Sequence, residues 1–310
     1  HRGQLLDGLA RDVGIGGLVG TTVQGSTLTD TYASGLVTGA SGTGGVVGSG
    51  DGTTITSTNV YWDMDSTGQS TSVVGNGFSS GSARAQSTYS GFDFSNVWVM
   101  IAGETRPMLR NEYSTVIATP AALQLMSQDL TGSYKLGANI DMTSALAIGS
   151  NGYYGGLWGA SGFVPIGSSS SKFTGSFNGQ SYTITGLTIN RSGTNYVGLF
   201  GYTNGATISN VTLSGGSITG NDDVGALIGY VHGGSVSSAS AGATVTGAST
   251  SETNAGGLVG ANDGGAISRA SASGNVTGAG YQIGGLVAYL VNGGSITQSY
   301  ATGNVTGTNT

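Results

Sequence analysis

One phrase constrains this chain more than anything else in it. Residues 255–278 read Ala255-Gly-Gly-Leu-Val-Gly260, then Gly265-Ala-Ile267, Ala270-Ser-Ala272 and Gly274-Asn-Val-Thr-Gly278. The phrase returns as Ile283-Gly-Gly-Leu-Val287, Gly294-Ser-Ile296, Ser299-Tyr-Ala301 and Gly303-Asn-Val-Thr-Gly307. Earlier forms are Val224-Gly-Ala-Leu-Ile-Gly229 and, near the start, Ile15-Gly-Gly-Leu-Val-Gly20, with a diverged copy from Gly44 to Ile55. A period of this size marks a repeat architecture, which decides the fold before any local reading does.

Two markers fix the register. The apolar residue after the second glycine pair falls at Ile208, Val236, Ile267 and Ile296, in steps of 28, 31 and 29 residues. The last apolar residue falls at Ile218, Val245, Val276 and Val305, in steps of 27, 31 and 29. Both drift together, and the polar insert Ala248–Asn254 absorbs the long step. In the first copies the equivalent pair is Leu28 and Ile55, 27 apart.

Each repeat holds three short runs of apolar and small residues separated by Gly, Asn or Ser. Such runs are too short and too β-branched for helices and suit short strands. Alternation has period two: Val197 and Leu199 share a face, as do Val211 and Leu213, and later Ala239/Ala241 and Ala270/Ala272. Small residues then stack on small ones, and Ile, Leu or Val on themselves. A coil with three strands per turn does this, because equivalent positions lie about 4.8 Å apart, one above another. One repeat cannot bury its apolar face alone, so stacking closes the core. The expected fold is all-β: a parallel β-helix in two arrays, about 28 residues per repeat.

Composition agrees. The 310 residues include 60 Gly but only 3 Pro and no Cys, with 8% charged and 37% hydrophobic residues. Gly-rich linkers are disordered when apolar residues are few; here those residues sit at fixed repeat positions. The net charge of −6 and nine scattered Lys and Arg exclude a basic stripe, hence a nucleic-acid binder. No apolar run reaches the roughly 18 residues of a membrane-spanning helix. The start, His1-Arg-Gly, resembles neither a signal peptide nor a domain start, so the chain reads as a piece of something longer.

Four segments follow. Residues 1–60 end a first array. Residues 61–112 break the pattern with Tyr61-Trp-Asp, Phe92-Asp-Phe94 and Trp98, and read as a cap, because terminal rungs need covering. Residues 113–190 start a second array, with one short helix near 120–128. Thr119 is its expected N-cap, Pro120 its first residue, and Leu123 and Met126 would cover the first rung. Asn178-Gly179 signals a tight turn between Phe173–Phe177 and Tyr182–Ile184. Residues 191–310 hold four clean repeats.

These residues resemble the GLUG motif, carried by Gly257-Leu-Val-Gly260 with Gly-Ser-Ile and Asn-Val-Thr-Gly following. That motif recurs in large bacterial exoproteins, among them filamentous-haemagglutinin-like adhesins and some IgA-peptidase surface proteins. Phe173–Leu187 is similar to the segment that introduces such arrays, and Tyr61–Ser70 to their terminator. The resemblance implies a right-handed helix and an extracellular or bacterial cell-surface location. It names no ligand, because the motif is a fold signature.

Chemistry is sparse. Asp63 and Asp65 open a run similar to a calcium loop, yet the twelfth position is Val74 rather than Glu, and a cap turn is the plainer reading. Asp222-Asp223 reads as a solvated turn, or with Asn221 as a cation site. His232 is the only internal histidine, so neither a metal triad nor a nucleophile with a His base assembles. No catalytic residue or cofactor is assigned, and the chain reads as a non-enzyme. Asn190, Asn210, Asn275 and Asn304 lie in glycosylation sequons, which double as the repeat's turn into a strand. Tyr153, Tyr154 and Trp158 stand in the Gly-rich stretch 149–162, where a protruding loop could stack on sugar rings; packing on the coil is the alternative.

The expected function is a rod-like segment of a secreted or surface adhesin, with loops 149–162 and 248–254 contacting a host or bacterial glycan or protein. Alternatives are a stalk or filament subunit that self-associates end to end, and the non-catalytic stalk of a surface peptidase.

Overall fold

The computed structural model describes residues 13–50, 55–249 and 253–307. It is a parallel β-solenoid of about ten turns, divided into two compact units. The first comprises residues 1–107 and 147–156, the second 108–146 and 157–310. Within each unit the strands pair in parallel from one rung to the next. No helix among the described residues is long and apolar enough to cross a membrane.

In the second unit, register follows the apolar markers. Ile208, Val236, Ile267 and Ile296 are partners on successive rungs, and so are Ile189, Ile218, Val245, Val276 and Val305. The small pairs stack as expected: Val211 on Ala239, and Leu213 on Ala241, Ala272 and Ala301. A continuous core from Ile117 to Val276 results, almost all of it under 3% exposed. Rungs approach so closely that a side chain at Gly257 would run into the carbonyl of Gly285.

The helix α1 (Pro120–Leu125) forms where expected. Thr119 Oγ1 accepts from Ala122 N at 3.1 Å, and Leu123 and Met126 are fully buried. A further four-residue helical turn, Met64–Thr67, stands within the aromatic segment of the first unit.

Two expectations on local geometry are corrected. The bend at Asn178-Gly179 exists, but its flanking strands do not fold back on each other. Ser176–Asn178 and Thr183–Thr185 both pair in parallel with one strand, Thr207–Ser214. Gln180 and Ser181 take positive φ, so the bend is a corner of one coil. In the first unit Leu28 pairs with Ser57, so the true step is 29 residues rather than the 27 that would bring it to Ile55. The corner that decides this is a residue with positive φ in mid-strand, Asp30 above Asn59. Asn59 Nδ2 donates to Asp30 Oδ1 at 2.7 Å. The same corner recurs at Asn210, Ser238, Arg269 and Gln298. Asn and Asp tolerate this region, while the bulkier residues there are uncommon.

In the first unit, Leu28, Ala33, Val46, Val47, Val60 and Trp62 form the core. Rings of the 61–107 segment pack together: Tyr89 meets Tyr32 and Tyr61 edge-on, and Phe92 stacks on Trp98 at 4.7 Å.

Candidate functional site: a tyrosine face on the second unit

Four strands form one outer wall of the second unit: β1 (Phe200–Asn204), β2 (Ile228–His232), β3 (Val259–Asp263) and β4 (Val287–Val291). Their inward positions hold Phe200, Ile228 and Val259, all fully buried. Simple alternation is broken after the buried Gly201 and Gly229: Thr203 and Val231 are buried, and the tyrosine before each is half-buried at the wall's surface. At this position Tyr202, Tyr230, Ala261 and Tyr289 are register partners. Tyr202 and Tyr230 stack at 4.7 Å and 22°. Tyr196 closes on both edge-to-face, at 5.3 and 5.7 Å, and the Lys172 ammonium lies 5.4 Å from the Tyr202 ring centre. Ala261 interrupts the aromatic column but is itself fully buried, and the Tyr230 phenol reaches across its rung to Asp263.

Polar groups flank the rings. Asn204, His232 and Asp263 follow one another in register. Asp263 accepts from Tyr230 Oη at 3.0 Å, pairs with His232 Nδ1 at 2.8 Å and accepts from Asn292 Nδ2 at 2.7 Å. Hydrogen bonds from Asn292, then His232 and Tyr230, hold its carboxyl below the usual range. Burial, and then Asp263 itself, push the Tyr230 phenol well above its ordinary value, so it remains a donor.

On the other flank, Asn254 pairs with Gln282 in register, and Asp223 precedes Val224, the partner of Ala255. Asp223 is 5% exposed. Burial, and then the adjacent Asp222, push its carboxyl up to about 7 against a hydrogen bond from Asn254 Nδ2 at 2.8 Å. Asp222 Oδ1 accepts from the backbone N–H groups of Asp223 and Asn254. A cleft of about 410 Å³ opens between these residues, lined by Asp222, Asn254, Tyr281, Gln282 and Tyr289. Asp222-Asp223 is therefore more than a solvated turn. It forms one wall of a cleft, with one carboxylate exposed to it and one carboxyl buried behind.

The residues singled out in the sequence fare differently. Stretch 149–162 is not one protruding loop, since its first part belongs to the first unit. Arg106, 1% exposed, holds it by donating to the carbonyls of Tyr154 at 2.8 Å and Gly156 at 3.0 Å. Tyr153 is 42% exposed and Tyr154 half-buried. Trp158 is a core residue of the second unit: it is 1% exposed, and its Nε1 donates to the buried Gln124 Oε1 at 2.7 Å. It offers no face to a sugar.

The calcium candidate is also corrected. Asp63 is fully buried, paired with Arg106 at 2.7 Å, and accepts from Ser80 Oγ and the N–H groups that open the helical turn. Burial raises its pKa, but Ser80 and Arg106 more than offset this and hold the carboxyl below the usual range. Asp65 Oδ2 accepts from Ser80 N at 2.8 Å. Among the described residues no three His, Cys, Asp or Glu are grouped to hold a metal.

Asn190, Asn210, Asn275 and Asn304 are all exposed. Asn275 Oδ1 accepts from Asn304 N at 3.0 Å, a rung-to-rung bond. Part of the insert 248–254, residues 250–252, lies outside the described residues. Sequence reasoning passed over Tyr202, Tyr230 and Tyr289. Their signal is an aromatic recurring directly after Gly201, Gly229 and Ala288, at one position of the repeat.

Comparison with known proteins agrees with the repeat. The family described as the GLUG motif matches residues 251–277 and 279–306. The chain is 42% identical over 117 residues, 37% of its length, to Halomucin of Haloquadratum walsbyi. It is 44% identical over 80 residues, 24% of its length, to a protein of Evansella cellulosilytica described as a Gly-rich membrane protein. These alignments span only 1% and 9% of the two relatives. A solved structure described as an immunoglobulin A1 protease from Bacteroides ovatus aligns over 62% of this chain and 67% of that one, at 18% identity and a TM-score of 0.45.

Proposed function

We propose that this chain is a solenoid segment of a secreted or cell-surface protein that mediates attachment, and that it is not itself an enzyme. The observation that carries this is the solenoid with GLUG repeats, together with sequence relatives named Halomucin and a Gly-rich membrane protein. The outer walls support it. They are mostly Thr, Ser and Asn, and where chemistry gathers, at the tyrosine face, the groups are suited to contact. Half-buried Tyr202 and Tyr230, with the exposed Tyr281 and Tyr289 and the amides and carboxylates beside them, suit contact with a partner surface.

Antibodies against residues 1–310 test the reading on intact source cells. Labelling of unpermeabilised cells, and loss of attachment on adding the antibody, is the expected result. Labelling only after permeabilisation refutes the location. Surface labelling with attachment unchanged refutes the attachment role and leaves a stalk.

A further inference from the structure

We infer that the cleft beside Tyr289 receives a lysine side chain of a partner protein, with its stem on the two exposed tyrosine rings and its ammonium against Asp222. This rests on the attachment reading above and names the chemistry of one contact.

The lining carries the inference. The cleft, about 410 Å³, is bounded by Asp222, Asn254, Tyr281, Gln282 and Tyr289, and by no Lys, Arg or His. Asp222 Oδ1 accepts from two backbone N–H groups, those of Asp223 at 2.8 Å and Asn254 at 2.9 Å. The carboxylate is thereby fixed in place by backbone donors rather than by a cation. Asn254 Nδ2 donates to Asp223 at 2.8 Å, and its Oδ1 is buried with no donor among the described residues. A buried acceptor without a donor is costly. The cleft therefore lacks donors, not acceptors. A lysine ammonium brings three donors and no acceptor.

The same wall already seats one ammonium. Tyr289 stands in the register column of Tyr202 and Tyr230. At the far end of that column the Lys172 ammonium lies 5.4 Å from the Tyr202 ring centre, inside the cation–π range of about 6 Å. At the Tyr289 end the rings are open: Tyr281 is 70% exposed and Tyr289 41%. The cleft there holds a carboxylate and no lysine of the chain. A four-carbon stem can lie on these rings while its charged head meets Asp222.

The choice among cations follows from the same atoms. Calcium takes about six to eight oxygen ligands, and one carboxylate with two amides falls short. A guanidinium is held best by both oxygens of a carboxylate. Here Oδ1 is engaged by two N–H groups, which favours the compact point charge of an ammonium. An acidic partner would meet Asp222 as like charge and be repelled.

The test is a chemical-shift titration of the 310-residue chain with a capped glycine peptide carrying one central lysine. Its Nε-acetylated form, its arginine form and a glucosamine oligomer are the comparisons. The expected result is saturable binding of the lysine peptide, none of the acetylated form, and weaker binding of the other two. Asp222→Asn keeps an oxygen for both backbone donors and removes the charge; Tyr281→Ala removes the most exposed ring. Each should weaken lysine binding by about two- to fivefold, as befits one exposed ion pair or cation–π contact. If Asp222→Asn melts early, Tyr281→Ala carries the comparison. No saturation by the lysine peptide, equal binding of its acetylated form, or unchanged affinity in a variant that melts like the parent overturns the inference. Tighter binding of the arginine peptide or of the glucosamine oligomer overturns the assignment to lysine. The two claims fail separately. A chain that binds the lysine peptide but neither labels intact cells nor supports attachment refutes the attachment reading alone. A chain that supports attachment but binds no lysine peptide refutes the lysine site alone.

Discussion

Replacing Asp223 by Asn should stabilise the second unit at neutral pH and leave it unchanged near pH 4. The carboxyl is 5% exposed and its pKa stands at about 7, against about 3.9 in an unfolded chain. Between pH 4 and 7 the folded state holds a proton that the unfolded state has released. Stability therefore falls as pH rises across that window. The full difference of about three pH units corresponds to at most about 4 kcal/mol. About half of that is expected, because the half-buried Asp222 beside it remains partly screened by solvent. A change of about 2 kcal/mol moves the melting temperature of a domain of this size by roughly 4–8 °C. Asn is a close isostere, tolerates the positive φ of 49° found here, and keeps a partner for Asn254. The assay is thermal melting by circular dichroism at half-unit steps from pH 4 to 8, for parent and variant. The expected result is curves that meet near pH 4 and separate by several degrees above pH 7, with the variant higher. Parallel curves would show that Asp223 is not the group whose charging destabilises the fold, and would refute the argument from burial.

Three further outcomes follow from buried side chains. Ile267, 1% exposed and stacked between Val236 and Ile296, should not tolerate Asp. An unpaired buried charge should lower the melting temperature of the second unit by ten degrees or more, and an unchanged melt would invert the inward assignment. Asp63→Asn leaves the Arg106 guanidinium buried without its carboxylate, which should cost about 3–5 kcal/mol, read as a lower urea midpoint for the first unit. In the parent, that unit should also lose stability as pH falls below about 4, because the Asp63 pKa lies below its unfolded value.

The repeat was legible in the sequence because a solenoid makes local pattern and global structure the same thing. Ile267 recurs in kind at Ile296 and Val236, and stacking like on like leaves one register that buries them all. The capped helix after Thr119 was legible for a similar reason: its signals lie within four residues. Fates set by distant partners were not. Asp63 was read as a cap turn with calcium as a lesser alternative, and its partner Arg106, 43 positions along the chain, was not visible. For Trp158 the sequence left sugar stacking and packing on the coil both open, and the distant Gln124, which takes its N–H in the core, decides for packing. Leu28 was offset by two residues because the positive-φ corner at Asp30 is a backbone choice with no hydrophobic signature. The tyrosine face lay between these cases. Its residues recur at one repeat position, so their column was present in the sequence. The cleft beside Tyr289 and the buried carboxyl of Asp223 came only from tertiary structure. They exist because successive rungs bring residues about thirty positions apart within one strand spacing, where Asn254 and Gln282 come to line one cleft and the next rung covers Asp223.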